Sequence, residues 1–101
     1  MKSSVLAHDL RTTKKIVLDH LRGKNIKVYL FGSHATGKAR PHSDIDVAIL
    51  SRRRVSPAIL TEIREKLEES DIVRTVEIVD LSQTDAAFRQ RVLKEGIPWK
   101  E

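Results

Sequence analysis

What most constrains this chain is a pair of short apolar runs joined by a link that cannot hold a long helix. Ile26-Lys27-Val28-Tyr29-Leu30-Phe31 is β-branched and aromatic and stops at Gly32, and Ser43 to Leu50 has the same character. Between them Gly37, Pro41 and Ser43 break any element longer than one helical turn, so residues 32–43 are expected to be loop or a single turn. Two strands so linked suit an antiparallel return. A third run, Ile72 to Leu81, follows a segment that opens at Pro57 and carries Ile59, Ile63 and Leu67 one helical turn apart. A helical crossover of that length lets the second and third strands run parallel.

Helices are expected at both flanks. Leu6, Leu10, Val17 and Leu21, with Ile16 beside them, recur at near-helical spacing from Ser4 to Arg22, capped by Ser3 or Ser4 and closed by Gly23. A last helix runs from Gln83 to Lys94 and is stopped by Gly96 and Pro98. The expectation is an α+β fold: a small mixed sheet, three-stranded or slightly larger, backed by helices in one domain over residues 1–101. A 40% hydrophobic content supplies one core. No apolar run approaches the ~20 residues needed to span a bilayer, and the N-terminus has no apolar stretch suited to a signal peptide. A cytoplasmic protein with no membrane role is expected. With no cysteine, disulfides, thiolate zinc sites and thiol nucleophiles are excluded. His8, His20, His34 and His42 lack the spacing of a zinc site, so a metal falls to carboxylates.

The chemistry concentrates in residues 32–46. On a strand, Asp44 and Asp46 project to one face while Ile45, Val47 and Ile49 go to the other, towards the helices. Adjacent carboxylates repel unless a cation sits between them, and two carboxylates with substrate phosphates are a usual way to hold magnesium. An Asp-x-Asp at a strand start is by itself more often just an exposed polar edge. Three neighbours raise its meaning. Gly32 and Ser33 end the first strand where backbone N–H groups can approach an anion, with a helical turn at 33–36 adding to the effect. Ser43 precedes the carboxylates and can cap or orient them. Glu77 interrupts Val76-Glu77-Ile78-Val79 and shares their face if the third strand lies beside the second, whereas Asp80 points the other way. Three carboxylates facing a phosphate cradle suit two-metal phosphoryl-type transfer. The competing P-loop pattern, Gly32 to Lys38, fails: Ala39 stands where Ser or Thr is needed, and Pro41 forbids the helix that should follow.

Gly32-Ser33, Gly37, Arg40, Ser43-Asp44-Ile45-Asp46 and a later strand acid resemble the nucleotidyltransferase superfamily that includes DNA polymerase beta. The Leu30-Phe31-Gly32-Ser33 junction and the Glu95-Gly96-Ile97 ending resemble its minimal, MNT-type branch. The resemblance implies Asp44, Asp46 and Glu77 as catalytic metal ligands for two Mg2+ ions, with Gly32, Ser33, Lys38, Arg40 and Ser43 around the triphosphate of ATP. It also implies transfer of AMP to a hydroxyl, with a HEPN-type toxin as partner and its tyrosine as acceptor, in a homo- or hetero-oligomer. Glu77 departs from the family's usual Asp, and its extra methylene displaces the carboxylate. A second reading is therefore an antitoxin that neutralises by binding alone. A third is a small basic RNA-binding domain using Arg52, Arg53 and Arg54. The net charge of +5 is read as the surroundings of a triphosphate and of a partner, with nucleic acid not the main ligand. Phe88, Val92 and Trp99 are read as core or partner-facing, and His34 and His42 as flanking the loop.

Overall fold

A computed structural model describes residues 2–100, with side chains from residue 5 onward. The elements are α1 (Lys2–His20), β1 (Lys27–Phe31), α2 (Ser33–Thr36), β2 (Ile45–Leu50), α3 (Pro57–Glu69), β3 (Val76–Asp80), a 3-10 turn (Leu81–Gln83), α4 (Ala86–Glu95) and β4 (Ile97–Lys100). The strands form one mixed sheet in the order β3-β2-β1-β4. β1 is antiparallel to β2 and β2 is parallel to β3, as the link lengths predict. Among the described residues no helix is long and apolar enough to cross a membrane.

Alternation within the strands divides two apolar layers. Val28, Leu30, Ile45, Val47, Ile49 and Ile78 face α1 and α3, which contribute Val17, Leu21, Ile63 and Leu67. Tyr29, Ala48 and Leu81 face α4, which contributes Val92 and the half-buried Phe88. α4 therefore covers part of the sheet face that carries Asp46. Pro57 starts α3 as expected, with its missing N–H at a position that has no intrahelical acceptor.

The structure corrects several expected boundaries. β4 was not foreseen, because Gly96 and Pro98 read as a stop. Gly96 instead turns the chain against β1, and Pro98 is tolerated because β4 is an edge strand. Trp99, on that strand, is half-buried against the α1–α3 layer and so belongs to the sheet. The third strand is shorter than expected: residues 72–75 are loop, and Leu81 opens the 3-10 turn. α4 begins at Ala86, not Gln83, because the Asp85 side chain accepts the Phe88 N–H at 2.8 Å and caps it. α1 includes Ser3 and Ser4 in its first turn and ends at His20 rather than Arg22. The proposed caps fall on side chains outside the described set.

The buried stripe of α1 is Asp9, Thr13 and Val17, continued by Leu21 just past its end, all with no solvent exposure. Its first half is polar. Thr13 donates to the Asp9 carbonyl at 2.7 Å, while the Asp9 carboxylate accepts the Val73 and Arg74 N–H groups at 3.2 and 3.3 Å and Arg74 Nη1 at 2.9 Å. Arg74 Nη2 continues to the Pro41 carbonyl at 2.8 Å. One buried ion pair thus ties α1 to the entry of β3 and to the loop before β2. Asp9→Ala removes one partner and leaves Arg74 uncompensated, and is expected to lower stability by about 3–5 kcal/mol in urea unfolding.

Candidate active site

β1 and β2 are paired so that Phe31 lies opposite Asp46, and Asp46 in turn pairs with Glu77 of β3. Residues in register share a face, so Asp46 and Glu77 stand side by side, with Asp44 one pleat upstream. This is the arrangement predicted from Asp44-Ile45-Asp46 and from a β2–β3 pairing. Asp46 is half-buried, whereas Asp44 and Glu77 are exposed. Burial pushes the Asp46 carboxyl above its ordinary value of 3.8; the Asp44 and Glu77 charges push it the same way, and His34 opposes them.

No ion pair among the described residues involves Asp44, Asp46 or Glu77. No cation among the described residues pairs directly with them, which leaves room for a divalent cation as counter-charge. The fit has a limit: among the described residues no three Asp, Glu or His side chains gather closely enough to hold an ion together. The structure sets Asp46 and Glu77 side by side on one face, with Asp44 just before the strand, without closing the three into one ligand set.

Gly32 is where the chain leaves β1, with φ 75° and ψ −154°, a conformation open essentially to glycine alone. A Cβ there would collide with Asp46 Oδ2. The backbone therefore lies directly against the Asp46 side chain, which leaves no room for a side chain at this position. Its carbonyl accepts the N–H groups of Ala35 and Thr36 at 3.0 and 3.1 Å, making the single turn α2. Gly37, also at positive φ, ends it with its N–H on the Ser33 carbonyl. His34 Nε2 lies 3.0 Å from the Ser43 carbonyl, which makes that nitrogen the donor and ties α2 to the residue before Asp44.

The Ser43 hydroxyl accepts the Arg40 N–H at 2.8 Å, and the Ser43 N–H donates to the Arg40 carbonyl at 3.0 Å. Ser43 thus closes the turn 40–43 and aims the carboxylates through the backbone, with its oxygen engaged there rather than on a carboxylate. Arg40 is exposed on that turn. Lys38 borders a recess of ≈ 350 Å³ with Gly32, Thr36, Phe88 and Arg91. Phe88 meets Phe31 edge-on at 5.8 Å, and the Arg91 guanidinium lies 5.6 Å over the Phe88 ring. Arg91 was missed by sequence reading, since only the course of α4 over the Asp46 face brings it here. On the other side, Pro41, His42, Asp44 and Arg74 border a recess of ≈ 500 Å³. Asp80 is buried and accepts the N–H groups of Val55 and Ser82 at 3.0 and 2.9 Å, so it is structural, as its strand face indicated.

Two outcomes test this geometry. Gly32→Ala is expected to cost about 1–3 kcal/mol in urea unfolding from backbone strain alone, and to displace Asp46. Because the folded Asp46 carboxyl has a raised pKa, the stability linked to its proton is present below 3.8 and lost as pH rises through the folded value. Asp46→Asn is therefore expected to raise the melting temperature at neutral pH in EDTA, with the gain shrinking as pH falls towards 3.8.

The family model for the polymerase beta nucleotidyltransferases matches residues 12–99. The protein adenylyltransferase MntA of Shewanella oneidensis is 33% identical over 69 residues, which are 68% of this chain and 49% of that protein. The chain thus spans about half the length of that relative. A solved toxin–antitoxin structure with AMP-PNP matches at TM-score 0.66 and 27% identity, over 85% of this chain and 71% of that one. A structure solved under the designation minimal nucleotidyltransferase matches at TM-score 0.69 and 29% identity, over 88% and 91%. With most of its length matched by the family model and its sheet shared with these structures, the chain belongs to the polymerase beta nucleotidyltransferase family.

Proposed function

We propose that this chain transfers AMP from ATP to a hydroxyl group, a tyrosine of a HEPN-type toxin, and serves as the antitoxin of that pair. The observation that carries the reading is the close seat of Gly32 on Asp46, in a row with Glu77. It sets an approachable backbone turn against three uncompensated carboxylates. The adenylyltransferase MntA and the toxin–antitoxin structure with AMP-PNP, both similar to this chain, support the substrate and the partner.

Asp44 and Asp46 would hold Mg2+, with Glu77 beside them. The ion would neutralise triphosphate oxygens and stabilise the charge that develops on them. Ser33 and the N–H groups that open α2 would receive phosphate oxygens, and Lys38 and Arg40 would add positive charge. The acceptor oxygen attacks the α-phosphorus, its bond to the bridging oxygen breaks, and pyrophosphate leaves. Glu77 takes the acceptor's proton. His34 and Ser43 fix the loop from which Asp44 projects.

The second reading, an antitoxin that neutralises by contact alone, is favoured by Glu77 in place of Asp and by the absence of a closed three-ligand group among the described residues. One experiment separates the two. With ATP labelled on its α-phosphate, Mg2+ and a HEPN-type acceptor, the wild type is expected to label the acceptor. Asp44→Asn with Asp46→Asn is expected to lower the rate by about a hundredfold or more. Full labelling by the double variant would refute the transfer chemistry. Neutralisation without labelling by the wild type would establish the contact reading.

A further inference from the structure

The Arg52-Arg53-Arg54 run is not used by the chemistry above, and its place in the fold separates it from that chemistry. β1 opens where β2 closes, with Lys27 opposite Leu50, so the loop after β2 lies at the end of the sheet away from Asp46. Seven residues of nearly extended chain separate Asp44 from Arg52, roughly 25 Å at the strand rise. These arginines therefore do not surround a triphosphate held at Asp44 and Asp46, and this part of the net charge needs another explanation.

At this end Asn25, Lys27, Ser51 and Arg52 border a recess of ≈ 390 Å³ with Leu50. Lys24, Lys27, Arg52, Arg53 and Arg54 are all exposed, and none forms an ion pair among the described residues. Lys100 joins them, with its Nζ on the carbonyls of Leu21 and Lys24 at 3.2 and 2.6 Å. Neutralising charge is scarce here. No Asp or Glu occurs from His20 to Ser43 or from Ser51 to Thr61. Asp19 is paired with Lys15 and Arg22. Asp80, opposite Ile49, is buried with its oxygens on Val55 and Ser82. Asp85, the cap of α4, is an exposed acid at this end, yet among the described residues the exposed basic side chains here outnumber the acidic ones, so the patch favours an anion.

We propose that this end of the sheet docks the phosphate backbone of a nucleic-acid duplex. Guanidinium groups bind phosphate oxygens as forks, and Asn25 and Ser51 supply the neutral donors common at phosphate and sugar contacts. A duplex presents one charge per about 1.7 Å of axis, a density that suits Lys27 and Arg52 at the recess with Lys24, Arg53 and Arg54 exposed next to them in the chain. The cluster named here contains no aromatic side chain and so lacks the stacking platform used for single strands. The carboxylate end repels a backbone, so a docked duplex leaves the candidate active site open.

The test is fluorescence anisotropy with labelled RNA and DNA duplexes of about 20 base pairs between about 50 and 200 mM salt. The wild type is expected to bind, with log affinity falling against log salt at a slope of about −4. Arg52→Gln, Arg53→Gln and Arg54→Gln together are expected to flatten the slope to about −2 and weaken binding about tenfold or more, with the melting temperature retained. Asp44→Asn with Asp46→Asn is expected to bind at least as tightly as the wild type. Binding of both duplexes supports the proposal, and binding of only one supports it and identifies the source of the backbone. Three results would overturn it: neither duplex binds at the lowest salt, the triple arginine variant keeps the wild-type slope, or polyglutamate binds while both duplexes do not. None of these readouts depends on AMP transfer, so loss of the transfer reading leaves the result interpretable.

Discussion

The candidate site depends on the contact between the Gly32 backbone and the Asp46 side chain. It follows from a register rather than from either residue alone. Because Phe31 pairs with Asp46, the next residue of β1 must leave the sheet over the carboxylate, and any side chain there would occupy the same volume. The positive φ of Gly32 then directs the chain into the single turn α2, which His34 ties back to the Ser43 carbonyl. The two halves of the loop are thereby linked across the site. Asp44 projects from a backbone held on both sides: by Ser43 and its turn before it, and by the Ile45 N–H on the Thr75 carbonyl at 2.9 Å after it.

The buried Asp9 carboxylate supports the same loop from behind. Its partner Arg74 reaches the Pro41 carbonyl, so the turn that sets Asp44 rests on α1 and on the entry to β3. Desolvating an ion pair is costly, and an apolar pair of similar volume would often be as stable. What the ion pair adds is direction. The Asp9 carboxylate takes two backbone N–H groups as well as the guanidinium, and fixes three segments at once. The Arg74 Nε, buried and without an acceptor, marks the imperfect side of that arrangement.

Much of this was legible in the sequence because it depends on local rules. The strand alternation placed Asp44 and Asp46 on one face, the length of the two links set the strand directions, and Gly32 and Pro57 marked their turns. What was not legible depends on distant partners. Asp9 and Thr13 occupy core positions of α1, and no hydrophobic period reveals a polar residue whose burial rests on Arg74. β4 was hidden because Pro98 is forbidden in an interior strand and acceptable at an edge, and the edge exists only once the strand order is known. Arg91 and Phe88 reach the site because α4 crosses the carboxylate face, a choice of layer that helical spacing alone cannot make.

The sheet is polar in charge from end to end, and the net +5 conceals this. Among the described residues, three carboxylates near the β2 start and five cations near its close form no ion pair. A strand is the element that can hold such opposite excesses apart, since its residues rise about 3.3 Å each and do not fold back. Separated by far more than the Debye length of about 8 Å at physiological salt, the two ends act nearly independently. Lys38 and Arg91 border the recess beside Gly32, Arg40 lies on the turn before Asp44, and Arg74 borders the recess with Asp44. The arginines after β2 lie several screening lengths away and add nothing to metal or nucleotide affinity through the field. Their charge acts on whatever approaches the other end, so the two ends of β2 face different ligands.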